Sequence, residues 1–534
     1  MSGAGAVAAG GPGRSGTYER AVAGLTDEQR RAVDSPAEAL AVLAGAGSGK
    51  TRVLTLRVAR RIADGSAEAD HTVVVTFTRK AAVELRDRLH RFGVAVAMPA
   101  SGPSGPGPGV RAGTLHQLAL TLLRRHALDS REAPPQVAEH RFRLLVGLVG
   151  DPATASAVDT EVGWAKARSL GPDTYAGAAA AAGRRPPLPA EQVAVHFRAY
   201  EDLLVRQRTL DLDDVLVRAA DLLARDAAFA EAVRWRYRHV SVDEFQDINP
   251  AQYRLIEAVL GDRCDLLVVG DPNQAIYGWN GADPGLLIRV ATLVPGMEVV
   301  RLERNHRSSP QVVTAAAAAL GPVLDGVPRS AAADGPRPVV TAYDDGTAEA
   351  EGVAGLLSHA AASGRRWSEH AVLARTNDQL QSVAAALGRV GIPYRMARAP
   401  ESPVRPPAGT GPVDEAVELA TFHRAKGLEW PWVAVVGIEE GYVPIVHAAD
   451  ATAVDEERRL LYVALTRAGE VLHCSWARSR RLPGGRVVER SPSPWLAAIE
   501  AVSETGTGRI GPVDAARRIA TLRAGLAPRA PSGQ

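Results

Sequence analysis

The stretch Ala44-Gly45-Ala46-Gly47-Ser48-Gly49-Lys50-Thr51 constrains this chain more than any other. The apolar run Ala39 to Leu43 leads into it, and the helix-compatible run Arg52 to Ile62 leaves it. Strand, glycine-rich loop and helix, in that order, form the pattern of a phosphate-binding loop in an α/β unit. Small residues let backbone N–H groups close around phosphate oxygens, and the start of a helix adds partial positive charge. Ala44 through Gly49, with Arg52 just beyond, are therefore read as nucleotide-binding. Lys50 can reach β- and γ-phosphates, and the Thr51 hydroxyl can hold Mg2+. Ala44 stands where the general pattern has its first glycine. Turns also use glycine, so the rest of the chain must supply the remainder of a site.

A second half lies downstream. His239-Val240-Ser241-Val242 reads as a buried strand that ends in Asp243-Glu244-Phe245-Gln246-Asp247. Paired carboxylates at a strand end suit hydrolysis: Asp243 in the Mg2+ shell, Glu244 activating the attacking water. Leu266 to Gly270 is another buried strand, followed by Asp271-Pro272-Asn273-Gln274. Gln274 there can orient water or sense the γ-phosphate. Tyr277 and Trp279 come next. They suit stacking on single-stranded bases, at about 1–3 kcal/mol per base, or form a packed aromatic turn. After the strand Val73-Val74-Val75, the hydroxyl of Thr78 suits phosphate contacts, and Phe77 either stacks on a base or fills the core. In Gly113-Thr114-Leu115-His116, His116 either donates to a phosphate or is structural. Gln29, in a helix capped by Thr26, is either a solvated helix residue or an amide that pairs with adenine. Asp211, Asp213 and Asp214 read as an acidic helix start rather than a ligand cluster.

The chain has 534 residues, which suggests three or four domains. Hydrophobic residues make up 46% and charged residues 23%, so a soluble globular chain is expected. A formal net charge of +2 restricts any nucleic-acid site to a local groove. Cys264 and Cys474 lie far apart and read as buried small hydrophobes. No apolar run reaches about 18 residues, and the start lacks the pattern of a signal peptide. The expectation is a cytoplasmic protein without a membrane partner.

Taken together and in order, these motifs resemble the UvrD/Rep/PcrA-type superfamily 1 DNA helicases. The resemblance continues through Glu303-Arg304-Asn305-His306-Arg307-Ser308-Ser309, Leu373 to Asn377, Gly391 to Tyr394, Thr421 to Trp430 and Glu456 to Ala468. It implies an α/β fold of two RecA-like P-loop domains with parallel sheets and a helical insertion in the first. It also implies an ATP- and Mg2+-dependent helicase or translocase that moves 3′ to 5′ in DNA repair or recombination. The implied partners are single-stranded DNA and single-strand/duplex junctions. By resemblance, Gln29 reads adenine, His306 stacks on it, and Glu429 holds the ribose. Lys50, Thr51, Asp243 and Glu244 run hydrolysis. Gln274, Arg307 and Arg467 contact the γ-phosphate, with Arg467 as arginine finger. Phe77, Thr78, Thr114, His116, Tyr277, Trp279 and His423 line the DNA path.

The same resemblance divides the chain into a disordered tail (1–20), a first core domain (21–121 and 209–298) and its helical insertion (122–208). A second core domain (299–396 and 417–498), a Pro-rich linker (397–416) and a C-terminal tail (499–534) follow. Three features depart from the family pattern. Asn280 replaces its usual arginine, and His306 its usual tyrosine. The linker occupies the place of a long helical insertion, so a protein partner that supplies duplex engagement is expected. A competing reading is an ATP-gated DNA-binding remodelling subunit. A P-loop kinase is the third, and Arg467 and the second core domain argue against it.

Overall fold

The computed structural model describes residues 12–97, 107–138, 140–321, 326–397, 415–448, 450–482 and 484–505. The chain divides into two compact units, Met1–Ala44 with Gly49–Leu302, and Gly45–Ser48 with Glu303–Gln534.

The first unit is built on six parallel strands: β1 (Ala39–Ala44), β2 (Thr72–Thr76), β3 (Arg111–Thr114), β4 (His239–Val242), β5 (Leu266–Gly270) and β6 (Glu298–Leu302). Their spatial order is β3-β2-β4-β5-β1-β6. The central strands are apolar runs because helices cover both faces of a parallel sheet. One face holds the core around Val73, Val75, Phe245 and Val268, the other that around Leu40, Val42, Leu54 and Val74. Chain reversals are set by polar caps. Thr26, Thr114, Asp211 and Asn249 each close a reciprocal cap at a helix start.

Four helices between β3 and β4 form the insertion: Arg141–Val149, Pro152–Lys166, Pro172–Ala181 and Ala190–Gln207. They bury a core of their own around Leu145, Val158, Tyr175, Phe197 and Tyr200. The insertion is also fastened to the α/β part. The Ala251 N–H donates to the Ala167 carbonyl, and Gly281, at φ +92°, leaves no room for a side chain against Ala167.

The second unit has a seven-stranded parallel sheet: β7 (Val339–Tyr343), β8 (His370–Ala374), β9 (Tyr394–Met396), β10 (Val417–Thr421), β11 (Trp430–Val435), β12 (Ala468–Ala477) and β13 (Glu504–Thr505). The order is β9-β10-β8-β11-β12-β7-β13. Its core includes Leu357, Leu380, Leu387, Leu419 and Trp432.

Three boundaries differ from the sequence reading. The tail expected over 1–20 contains the helix Pro12–Ala23. Tyr18 packs edge-on against Phe92, and Ala21 and Val22 join the core, which outweighs the Gly/Ala-rich composition. The second domain does not begin at 299, because β6 pairs in register with β1. The C-terminal tail is not wholly outside the fold: β13 pairs with Val339 and Val340. Most of the expected linker, 398–414, lies outside the described residues, as do 1–11 and 506–534.

Candidate nucleotide and DNA site

Apart from Gln29, on the helix Asp27–Asp34 before β1, the first-unit site residues sit at or just beyond the C-terminal ends of the parallel strands, where such sheets place their ligands. β1 runs into the loop, in which Gly47 (φ +68°) and Gly49 (φ +88°) take backbone conformations that side chains disfavour. Gly49 also needs the space. A side-chain carbon there would stand 2.8 Å from Gln29 Nε2. Gln29 is 3% exposed, which removes the reading as a solvated helix residue. It caps its own helix, with Oε1 accepting from the Thr26 N–H.

Lys50 Nζ donates to the Ala44 carbonyl at 3.2 Å and lies 3.7 Å from Asp271 Oδ2. The Thr51 hydroxyl is 3.2 Å from Asp243 Oδ2. Asp243 is buried, and its carboxyl is pushed up to about 7, first by burial and then by Glu244, against the pull of Lys50. That oxygen pair fits Mg2+, a hard cation that takes a few protein oxygens and completes its shell with phosphates and water. Among the described residues, no group of three or more His, Cys, Asp or Glu side chains could hold a metal unaided.

Glu244 has φ +54°, a left-handed conformation that a non-glycine residue holds at a cost of roughly 1–3 kcal/mol. Gln274 is buried, and its Nε2 donates to Asp271 Oδ2 at 2.6 Å. The sequence reading gave Asp271 and Gln246 no role. Asp271 faces both Lys50 and Gln274, while Gln246 donates to Glu244 Oε2 and accepts the Asp271 N–H at 2.9 Å. A signal was present for Asp271, a carboxylate directly after the fully buried strand Leu266–Gly270.

The aromatic residues gather on the same edge. Phe77 and Tyr277 stack with centroids 5.1 Å apart and planes 18° from parallel. Trp279 meets Tyr277 edge-on at 6.5 Å and is 53% exposed, so it is no packed turn residue. Phe77 is half-buried at the sheet edge rather than a core residue. Thr78 and Thr114 use their hydroxyl oxygens as helix caps. Burial holds the His116 imidazole below its ordinary value, although Asp213 and Asp211 pull the other way. Arg52 donates to the Ala21 carbonyl at 2.8 Å, which anchors the N-terminal helix.

In the second unit, the Asn305 side-chain oxygen accepts from the Arg307 and Ser308 N–H groups, both at 2.8 Å. Asn305 is thus a positioning residue that the sequence reading left without a role. Arg307 pairs with Glu429. Arg467 is 1% exposed and donates to the Val463 and Leu428 carbonyls at 2.9 and 3.1 Å. His306 is exposed. His423 is on the short helix Phe422–Ala425; burial, with Arg375 and Lys426, lowers its imidazole to about 4.

A strand that runs into a glycine loop, the Lys50–Thr51 pair that opens the next helix, and strand-end carboxylates are the parts of a P-loop nucleotide-binding fold. The family model of the UvrD/REP helicase N-terminal domain matches residues 25–294, and that of the UvrD-like helicase C-terminal domain matches 300–399 and 409–479. The chain belongs to the UvrD/Rep family of DNA helicases. It is 37% identical to the ATP-dependent DNA helicase UvrD2 of Mycobacterium tuberculosis over 586 residues, covering 90% of this chain and 82% of that one. It is 33% identical to DNA helicase II of Escherichia coli, over 70% of this chain and 51% of the relative. It is 30% identical to the helicase PcrA of Leuconostoc citreum, over 70% and 50%. No described helix is long and apolar enough to cross a membrane.

Proposed function

We propose that this chain is an ATP-dependent DNA helicase that translocates 3′ to 5′ on single-stranded DNA, with a role in repair or recombination. The observation that carries the reading is the sharing of one sheet edge by the Thr51–Asp243–Glu244 cluster and the Phe77–Tyr277–Trp279 aromatics. Only two residues, Ala275 and Ile276, separate Gln274 from Tyr277, so the nucleotide and base sites lie on one short turn. The direction follows the family's polarity.

Lys50 neutralises the phosphates, and Thr51 and Asp243 hold Mg2+, which supplies Lewis-acid charge when bound. Glu244 accepts the proton of the attacking water, and Gln274 orients that water. Arg307 and Arg467 offset charge on the departing γ-phosphoryl group. By the family resemblance, Gln29 reads adenine, His306 stacks on it and Glu429 holds the ribose. Phe77, Tyr277 and Trp279 stack on bases; Thr78, Thr114, His116 and His423 touch the backbone.

A specific observation favours a narrower reading, in which duplex unwinding needs a protein partner. Only about twenty residues, 397–416, separate the segments that resemble the second core domain's two halves. Streptavidin displacement and forked-duplex unwinding separate the readings. The purified chain is expected to strip streptavidin from single strands with ATP and to unwind the fork feebly; robust, processive unwinding would overturn the narrower reading.

A further inference from the structure

Gln246 is fully buried, a place where an amide left without partners is costly. Its two ends are spent on two functional segments. Nε2 donates to Glu244 Oε2, and Oε1 accepts the N–H of Asp271 at 2.9 Å. The strand end beside it is shaped for this side chain. A side-chain carbon at Gly270 would stand 2.8 Å from Gln246 Oε1 and 2.7 Å from Leu287 Cδ2. Glu244 needs such support, because its left-handed backbone at φ +54° persists only where neighbours over-determine it. The Asp271 arm continues to Lys50 at 3.7 Å and to Gln274 at 2.6 Å.

We propose that Gln246 is the positioning residue of the hydrolytic carboxylate: one amide aims Glu244 and ties it to the Asp271 turn that faces Lys50 and Gln274. A preorganised base contributes to the transition state more than to nucleotide binding, so loss of its support lowers kcat rather than raising KM. The inference rests on the reading of Glu244 as the group that accepts water's proton.

The test measures single-stranded-DNA-stimulated ATP turnover in wild type, Glu244→Gln, Gln246→Met, Gly270→Ala and the double variant Glu244→Gln/Gln246→Met, with melting temperatures alongside. Met keeps the volume of Gln246 and removes both hydrogen bonds. Gly270→Ala keeps the amide and displaces it. Retained turnover in Glu244→Gln would sink the reading of the site itself, whatever Gln246 does. With that variant inactive, Gln246→Met is expected to lower kcat by about tenfold or more with KM for ATP within about threefold. Added to Glu244→Gln, it is expected to cost nothing further in the residual single-turnover rate that variant retains, since coupled residues are non-additive. Gly270→Ala is expected to lower kcat in the same sense. A folded Gln246→Met or Gly270→Ala enzyme with near-wild-type kcat, or a further loss in the double variant, would overturn the proposal.

Discussion

Trp279 leaves 53% of its surface exposed on a turn whose neighbour, Tyr277, is stacked on Phe77. An indole in that setting gains most by covering a base, at about 1–3 kcal/mol. Trp279→Ala is therefore expected to raise the DNA concentration for half-maximal ATPase stimulation by roughly tenfold and to leave basal turnover nearly unchanged. Equal losses in both rates would show a packing role instead. At this scale the sequence was readable wherever one residue type implies one chemistry. Lys50, Thr51 and Asp243 were singled out that way, since small loop residues and a strand-end carboxylate are visible in a linear pattern; Trp279 kept two readings, and its exposure is a fact of the structure. Asp271, Gln246 and Asn305 were not. Their work is to hold other side chains through hydrogen bonds that cross from one strand end to the next, and strand order is invisible in a linear pattern. Gln29 shows the reverse case: position alone left two readings, and burial against Gly49 decided between them.

The inserted helices depend on a charge cluster that the sequence reading took for a helix start. Asp211 does cap a helix. It also takes a hydrogen bond from Lys166 Nζ at 2.8 Å and one from the Tyr200 hydroxyl at 3.0 Å, and Lys166 reaches Asp214 at 2.8 Å. Lys166 is 4% exposed, and burial beside Asp211 already pushes the Asp214 carboxyl up to about 6. Lys166 also pairs with Glu201 at 2.7 Å, and a buried cation removed from three carboxylates leaves uncompensated charge. Lys166→Met is expected to destabilise the first unit by about 3–5 kcal/mol and to expose 141–207 to proteolysis; denaturant unfolding measures it, and a loss below about 1 kcal/mol would contradict it. Elements themselves were legible in the sequence where periodicity was strong, as in the apolar strands β1, β4 and β5. The helix Pro12–Ala23 escaped because its stability comes from Tyr18 on Phe92 rather than from propensity. The strand β6 escaped because its sheet partner, β1, lies some 250 residues earlier in the chain.

At the scale of the whole molecule, two parallel-sheet units follow one another along the chain, each with its functional side chains clustered at strand ends. The first holds Lys50, Thr51, the carboxylates and the aromatics; the second holds Arg307, Glu429 and Arg467. Such a chain is a motor only if nucleotide turnover answers to DNA, and that is the central claim. The direct measurement is steady-state ATP hydrolysis with and without single-stranded DNA, for the wild type and for Lys50→Ala. The account predicts many-fold stimulation of the wild type, and no turnover from a Lys50→Ala protein that still binds DNA. A wild-type rate indifferent to single-stranded DNA, or turnover that survives the loss of Lys50, would contradict it.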